Sequence, residues 1–298
     1  MLPAPSTPAA RVSPWLRRCS ALVVVAVAIT LLPLHLAAQA ILVAPQSVVL
    51  SNRERTGTVE LYNPSDRAAE ITIHAVFGHP TTTPDGDLTL AIVEQPDSTQ
   101  PSAAGFVDAF PRRLVLQPNQ RQTIRLLARP PVGLPDGEYW ARLVISSKDA
   151  AAAAAPARDT AGVTVGLTLE VRTIIALNFR NGVQRTGVEL GDLSASTQGD
   201  SLVVRAPMQR TGTAAWIGMT TVKLLNASGA VIASQAMQTA VYQSITPRFS
   251  FDRRTLAPGR YRISVDMNTD RPDVTQSTLL RAPPQHAETM VTLPAGGS

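Results

Sequence analysis

Four histidines and one cysteine bound the chemistry open to this chain. His35, His74, His79 and His286 are the only imidazoles in 298 residues. A serine-type hydrolase needs a histidine placed beside its nucleophile, and no Gly-x-Ser-x-Gly elbow surrounds any serine. His74 and His79 lie five apart, and Asp85 and Asp87 flank Gly86. Such a set has donors for a metal, but its context is an alternating strand and a hairpin turn, where solvated side chains are the rule. The single Cys19 excludes a disulfide framework and a thiolate cluster. No phosphate loop or dinucleotide fingerprint is present. The expectation is a protein that is no enzyme, uses no cofactor and holds no metal.

Chemistry by binding remains. Arginine grips a carboxylate through a planar fork, and Arg112, Arg113, Arg121, Arg125 and Arg129 gather around one expected strand pair. A solvated face is the plainer reading and a carboxylate anchor the functional one. The net charge of +5 does not point to nucleic acid. Arg11, Arg17 and Arg18 lie in the first 40 residues, where there is no Asp or Glu, and the remainder is nearly balanced. No small-molecule substrate is expected either.

Those first 40 residues read as an address. A basic start is followed by the apolar run Ala21 to Leu36 and by Ala38-Gln39-Ala40, small at both −3 and −1. This is the pattern of a secretory signal peptide cleaved after Ala40. Export to the periplasm is expected.

From Ile41 onward the periodicity is 2. Ile71, Ile73, Ala75 and Phe77 share one face; so do Ile124, Leu126 and Ala128, and Tyr139, Ala141, Leu143 and Ile145. Turn residues recur every 8–12 positions, which predicts β-sandwiches. The alanine-rich stretch 148–162 predicts a loop. After it, Val163, Val165, Leu167, Leu169 and Val171 alternate with polar residues, and apolar character continues to Arg180. Residues 181–187 read as a linker, 188–282 as a second β-sandwich, and 283–298 as a loose tail. Leu134 to Tyr139 resembles Leu256 to Tyr261, each ending in Gly-x-Tyr, as in a tyrosine corner. The expected fold class is all-β, with two immunoglobulin-like β-sandwich domains, the first over 41–180.

The row Val163, Val165, Leu167, Leu169, Val171 has two readings. It is the core side of a sandwich strand, or it is an exposed edge that completes another protein's sheet. Five aliphatics buried at ~1.5–3 kcal/mol each would stabilise a client by several kcal/mol after ordering costs. An uncapped strand of this kind can also pair with its own copy.

The segment from Ile41 to about Arg180 resembles the periplasmic pilus-assembly chaperones. Four features carry the likeness: the opening strands to Asn63; Phe110-Pro111-Arg112-Arg113 running into Leu116-Gln117-Pro118 and Gln122-Thr123-Ile124-Arg125; Asp136-Gly137-Glu138-Tyr139; and the loop with its long alternating strand. The resemblance implies two immunoglobulin-like domains and a donor strand that fills the gap in a secreted pilin-like subunit until an outer-membrane usher takes it. It implies that Val165, Leu167, Leu169 and Val171 are the inserted row. It also implies two cations that anchor the subunit's terminal carboxylate. Here the matching positions hold Ser47 and Ala176, leaving Arg172 or Arg125 as substitutes. The alternative from another class is a structural or adhesive module of the cell envelope on the same fold.

Overall fold

The computed structural model describes residues 40–150 and 169–294. The signal-peptide segment, most of the alanine-rich stretch, and Val163, Val165 and Leu167 lie outside the described residues.

The first sandwich contains ten strands: β1 (Leu42–Ala44), β2 (Ser47–Ser51), β3 (Thr56–Tyr62), β4 (Ala69–Thr82), β5 (Leu88–Val93), β6 (Val107–Phe110), β7 (Arg113–Leu116), β8 (Arg121–Ala128), β9 (Gly137–Asp149) and β10 (Glu170–Asn181). The second contains β11 (Thr186–Leu190), β12 (Ser194–Gln198), β13 (Ser201–Arg205), β14 (Met208–Gly212), β15 (Trp216–Leu225), β16 (Val231–Val241), β17 (Ser244–Ile245), β18 (Arg248–Asp252), β19 (Gly259–Asn268) and β20 (Gln285–Leu293). The protein is all-β, with two immunoglobulin-like sandwich domains. A 3-10 turn spans Arg253–Thr255.

In the first sandwich the sheet β1-β3-β8-β6 faces the sheet β2-β10-β9-β4-β5, with β7 paired to β4. The opening segment changes sheets: β1 pairs β3, and after Pro45 β2 pairs β10 in parallel. Between the sheets lie Leu50, Val59, Leu61, Ile71, Ile124, Leu143 and Leu177, all essentially inaccessible. These are the rows that alternation marked, because successive side chains of a strand point to opposite faces. The second core contains Trp216, Val222, Leu224, Phe249, Ile263 and Val265.

Both tyrosine corners are formed. The Tyr139 hydroxyl donates to the Pro135 carbonyl at 3.0 Å and Tyr261 to that of Ala257 at 2.6 Å. Burial, then the nearby Asp136 charge, pushes the Tyr139 phenol above its usual pKa. The Tyr261 ring is buried, so Tyr261→Phe removes one hydrogen bond and leaves a carbonyl short of a partner. A loss of about 1 kcal/mol is expected in urea unfolding.

The expected loose tail is corrected. Gln285–Leu293 forms β20, paired with β19 from Gly259↔Leu293 to Met267↔Gln285. Its inward row is Gln285, Ala287, Thr289, Val291 and Leu293, with only the last of these fully buried. So little apolar contrast leaves no periodic signal, and backbone pairing holds the strand.

A candidate strand edge and cleft

Strand β10 has two halves. Over Ala176–Arg180 it is flanked by β9 on one side and β2 on the other. Over Glu170–Ile175 its only strand partner among the described residues is β9, which leaves its second edge unpaired among them. Ile175, Leu177 and Phe179 fill the first core. Two residues at a time, the same row continues through Thr173 to Val171 and Leu169. There it leaves the core: Val171 is half-buried and Leu169 is 62% exposed. The described part of the predicted row is therefore a core-facing row that extends past its own core on an open edge.

The open edge leads to a cleft between the domains. A cavity of about 350 Å³ is lined by Ser47, Ala176 and Asn178 from the first sandwich and by Tyr242, Arg271 and Thr278 from the second. Ser47 and Ala176, the two positions where the resemblance implies cations, are direct partners in the β2–β10 ladder. Neither can carry charge.

Three arginines beside this cleft have their donors engaged. Arg271 forks onto Asp273 at 2.7 and 2.6 Å, which holds that carboxyl below its ordinary pKa. Arg180 donates to Glu138 at 2.8 Å and to the Thr278 carbonyl at 2.7 Å. Arg210 bonds the carbonyls of Tyr242 and Gly212 and lies over the Trp140 ring, and burial depresses its pKa.

Arg142 differs. It stands on β9 directly opposite Ala176 and is only 4% exposed. Opposite residues of an antiparallel pair share a face, so Arg142 shares the face that presents Ala176 to the cavity. Its guanidinium lies 4.8 Å over the Tyr242 ring. Its Nε and one terminal nitrogen are buried with no hydrogen-bond partner. A buried cation with open donors is costly, and a ring face offsets only part of that cost.

Glu138 ties the two domains together around this group. One carboxylate oxygen accepts from Trp140 Nε1 (3.1 Å), Asn178 Nδ2 (3.2 Å) and the Ala215 amide (3.1 Å), and the other accepts from Arg180. Phe77, Trp140, Ala215 and Tyr242 form a small apolar cluster beside it. The Tyr242 hydroxyl donates to Asn178 Oδ1 at 3.2 Å. The β4–β5 turn adds a second tie: the Arg248 amide donates to the Gly86 carbonyl and the Arg248 guanidinium to Asp87, at 3.0 and 2.8 Å. Gly86 sits there at φ +88°, where a side chain would strain the turn and meet Arg248.

The two arginines considered as substitute anchors are not in the cleft. Arg172 is exposed on the open half of β10, and its hydrogen bond and attraction to Glu170 raise its pKa. Arg125 is exposed on β8, opposite Thr58 and Phe110, in the other sheet of the sandwich. Arg112 and Arg129 both pair with Asp108, and Arg121 pairs with Glu60, as on a solvated face. His79 packs edge-on against Trp140. Among the described residues no three His, Cys, Asp or Glu side chains are grouped to hold a metal.

Arg142 was not singled out from the sequence, although one signal was present. Trp140, Arg142 and Val144 form the off-core row of β9, and a tryptophan there implies that this row is covered too.

No family model and no curated protein matches the chain. Solved structures do. A class 5 fimbriae chaperone, CfaA, is 15% identical with a TM-score of 0.41, and the match covers 86% of this chain and 100% of that one. The CsuC–CsuE chaperone–tip adhesion subunit complex of Acinetobacter baumannii is 14% identical with a TM-score of 0.43, covering 84% and 97%. The CupB2 chaperone of Pseudomonas aeruginosa is 15% identical with a TM-score of 0.36, covering 85% and 100%. Over most of its length, then, the chain is similar to chaperones of fimbriae and related pili.

Proposed function

We propose that this protein is an exported, periplasmic chaperone that caps secreted pilin-like subunits by lending them a β-strand. The observation that carries the proposal is the course of β10. Its core-facing row runs out past its own core along an open backbone edge, and that edge leads into a cleft beside a buried, under-bonded cation. Backbone donors and acceptors of the open edge supply affinity, and alternate aliphatic side chains fill the client's groove. Arg142 receives the client's terminal carboxylate, replacing the cations implied at Ser47 and Ala176. An outer-membrane usher then takes the subunit.

The test is co-purification from the periplasm of the native host, comparing the parent with a Leu167→Asp, Leu169→Asp double variant. Leu169 is solvent-facing, so the variant is expected to fold with an unchanged melting curve and to lose a small secreted subunit that the parent retains. A folded variant that keeps every partner sinks strand donation and favours an envelope module. A variant that unfolds assigns these leucines to the protein's own core and also sinks it.

A further inference from the structure

Strand β16 is an edge unlike the others. It is the outer strand of the sheet β16-β15-β19-β20 and is eleven residues long. From Leu224 to Pro247 the chain has no Lys, Arg, Asp, Glu or His, and none of β16 is proline. Val231, Ile232, Ser234, Gln235 and Ala236 are exposed, and among the described residues the strand's only ladder partner is β15.

Long exposed edges template further pairing, and proteins blunt them with charge, proline or brevity. Every other sheet-edge strand here is blunted in one of these ways. β20 carries His286 and Glu288, and β5 lies between Asp87 and Glu94. The remaining sheet-edge strands have five residues or fewer. The open half of β10 carries Glu170 and Arg172. Among the described sheet edges only β16 is long, uncharged and without a second strand partner.

We infer that β16 pairs with β16 of a second copy, antiparallel across a two-fold axis. An edge without charge gives a different protein nothing to select electrostatically, and it does not repel its own copy. The small side chains Ala233, Ser234 and Ala236 let two identical edges approach. Pairing joins two four-stranded sheets into one of eight strands. Each outer end is then a charged β20, so the assembly closes at two copies instead of growing. The open edge of β10 is not used, so the dimer does not depend on the chaperone reading.

Sedimentation velocity on protein purified from cells expressing the full sequence tests this. The parent is expected to be dimeric at micromolar concentration. Ser234→Lys with Ala236→Lys sets four lysines around the axis, and Ser234→Glu with Ala236→Glu sets four glutamates. Each double variant is expected to be a monomer with the parent's melting temperature, and an equimolar mixture of the two is expected to restore the dimer. The Leu167→Asp, Leu169→Asp variant is expected to remain dimeric. A monomeric parent, a dimeric lysine variant, a mixture that stays monomeric, or a dimer abolished by the leucine changes would each overturn the inference.

Discussion

Arg142→Met is expected to leave the free protein at least as stable as the parent and to abolish its capture of a client's carboxyl end. In the free protein the guanidinium is a buried charge with two nitrogens unbonded among the described residues. Methionine keeps much of the side chain's volume against Tyr242 and removes the unsatisfied donors. Replacing a poorly compensated buried charge by an apolar group of similar size commonly stabilises by about 1–4 kcal/mol, less here what the ring face contributes, at about 0.5–2 kcal/mol. Thermal unfolding should therefore show an unchanged or raised midpoint, while co-purification of a client falls to background. A structural arginine gives the opposite pattern, a lowered midpoint with client binding retained. That result would remove Arg142 from the site and leave strand donation to be judged on Leu167 and Leu169.

Glu138→Gln should be the most destabilising single change at the domain boundary. Glutamine keeps an acceptor for Trp140, Asn178 and the Ala215 amide but removes the charge facing Arg180. The pair is enclosed, with side-chain exposures of 1% for Glu138 and 14% for Arg180. Removing one partner of a buried pair strands the other charge and costs about 3–5 kcal/mol. The bonds of Glu138 span both domains, so the loss should also appear as lost coupling. Calorimetry is expected to change from one transition to two as the charged tie between the sandwiches is lost. Retention of a single transition at the parent's midpoint would show that the apolar cluster of Phe77, Trp140 and Tyr242 holds the domains without the carboxylate. Paired with the Arg142 variant, this change separates a buried charge that is satisfied from one that is not, four residues away on the same strand.

The proposed strand donation also depends on how rigid that boundary is. The boundary is tied by Glu138 and, through the β4–β5 turn, by Arg248 with Gly86 and Asp87 before any client arrives. Binding then spends little free energy on ordering the receptor, and the stabilisation of the client comes from strand pairing and buried aliphatics. Glu138→Gln is accordingly expected to weaken client retention even though Glu138 is not assigned a contact with the client.

Much of this architecture is legible in the residues. The rows through Ile71, Ile124 and Leu143 are core because alternation is a local property that a few consecutive residues specify. The Gly-x-Tyr repeats identify two corners for the same reason, since each hydrogen bond closes over four residues. The resemblance singles out the positions of Ser47 and Ala176, and only the ladder places them side by side. Strand β20 was missed because its inward row is mostly polar or small, so nothing periodic marks it and only β19 defines it. The burial of Arg142 was missed for a different reason. Alternation states that Trp140, Arg142 and Val144 share a face, but not what covers that face. The cover comes from Ala215 and Tyr242, some 75 and 100 positions further on, and only the docking of the second sandwich turns a solvent-side arginine into a buried cation. The sequence alone determined which residues face inward within each strand, because that depends on near neighbours; which outward faces become buried was decided by tertiary structure, because burial depends on segments that meet only when the domains close.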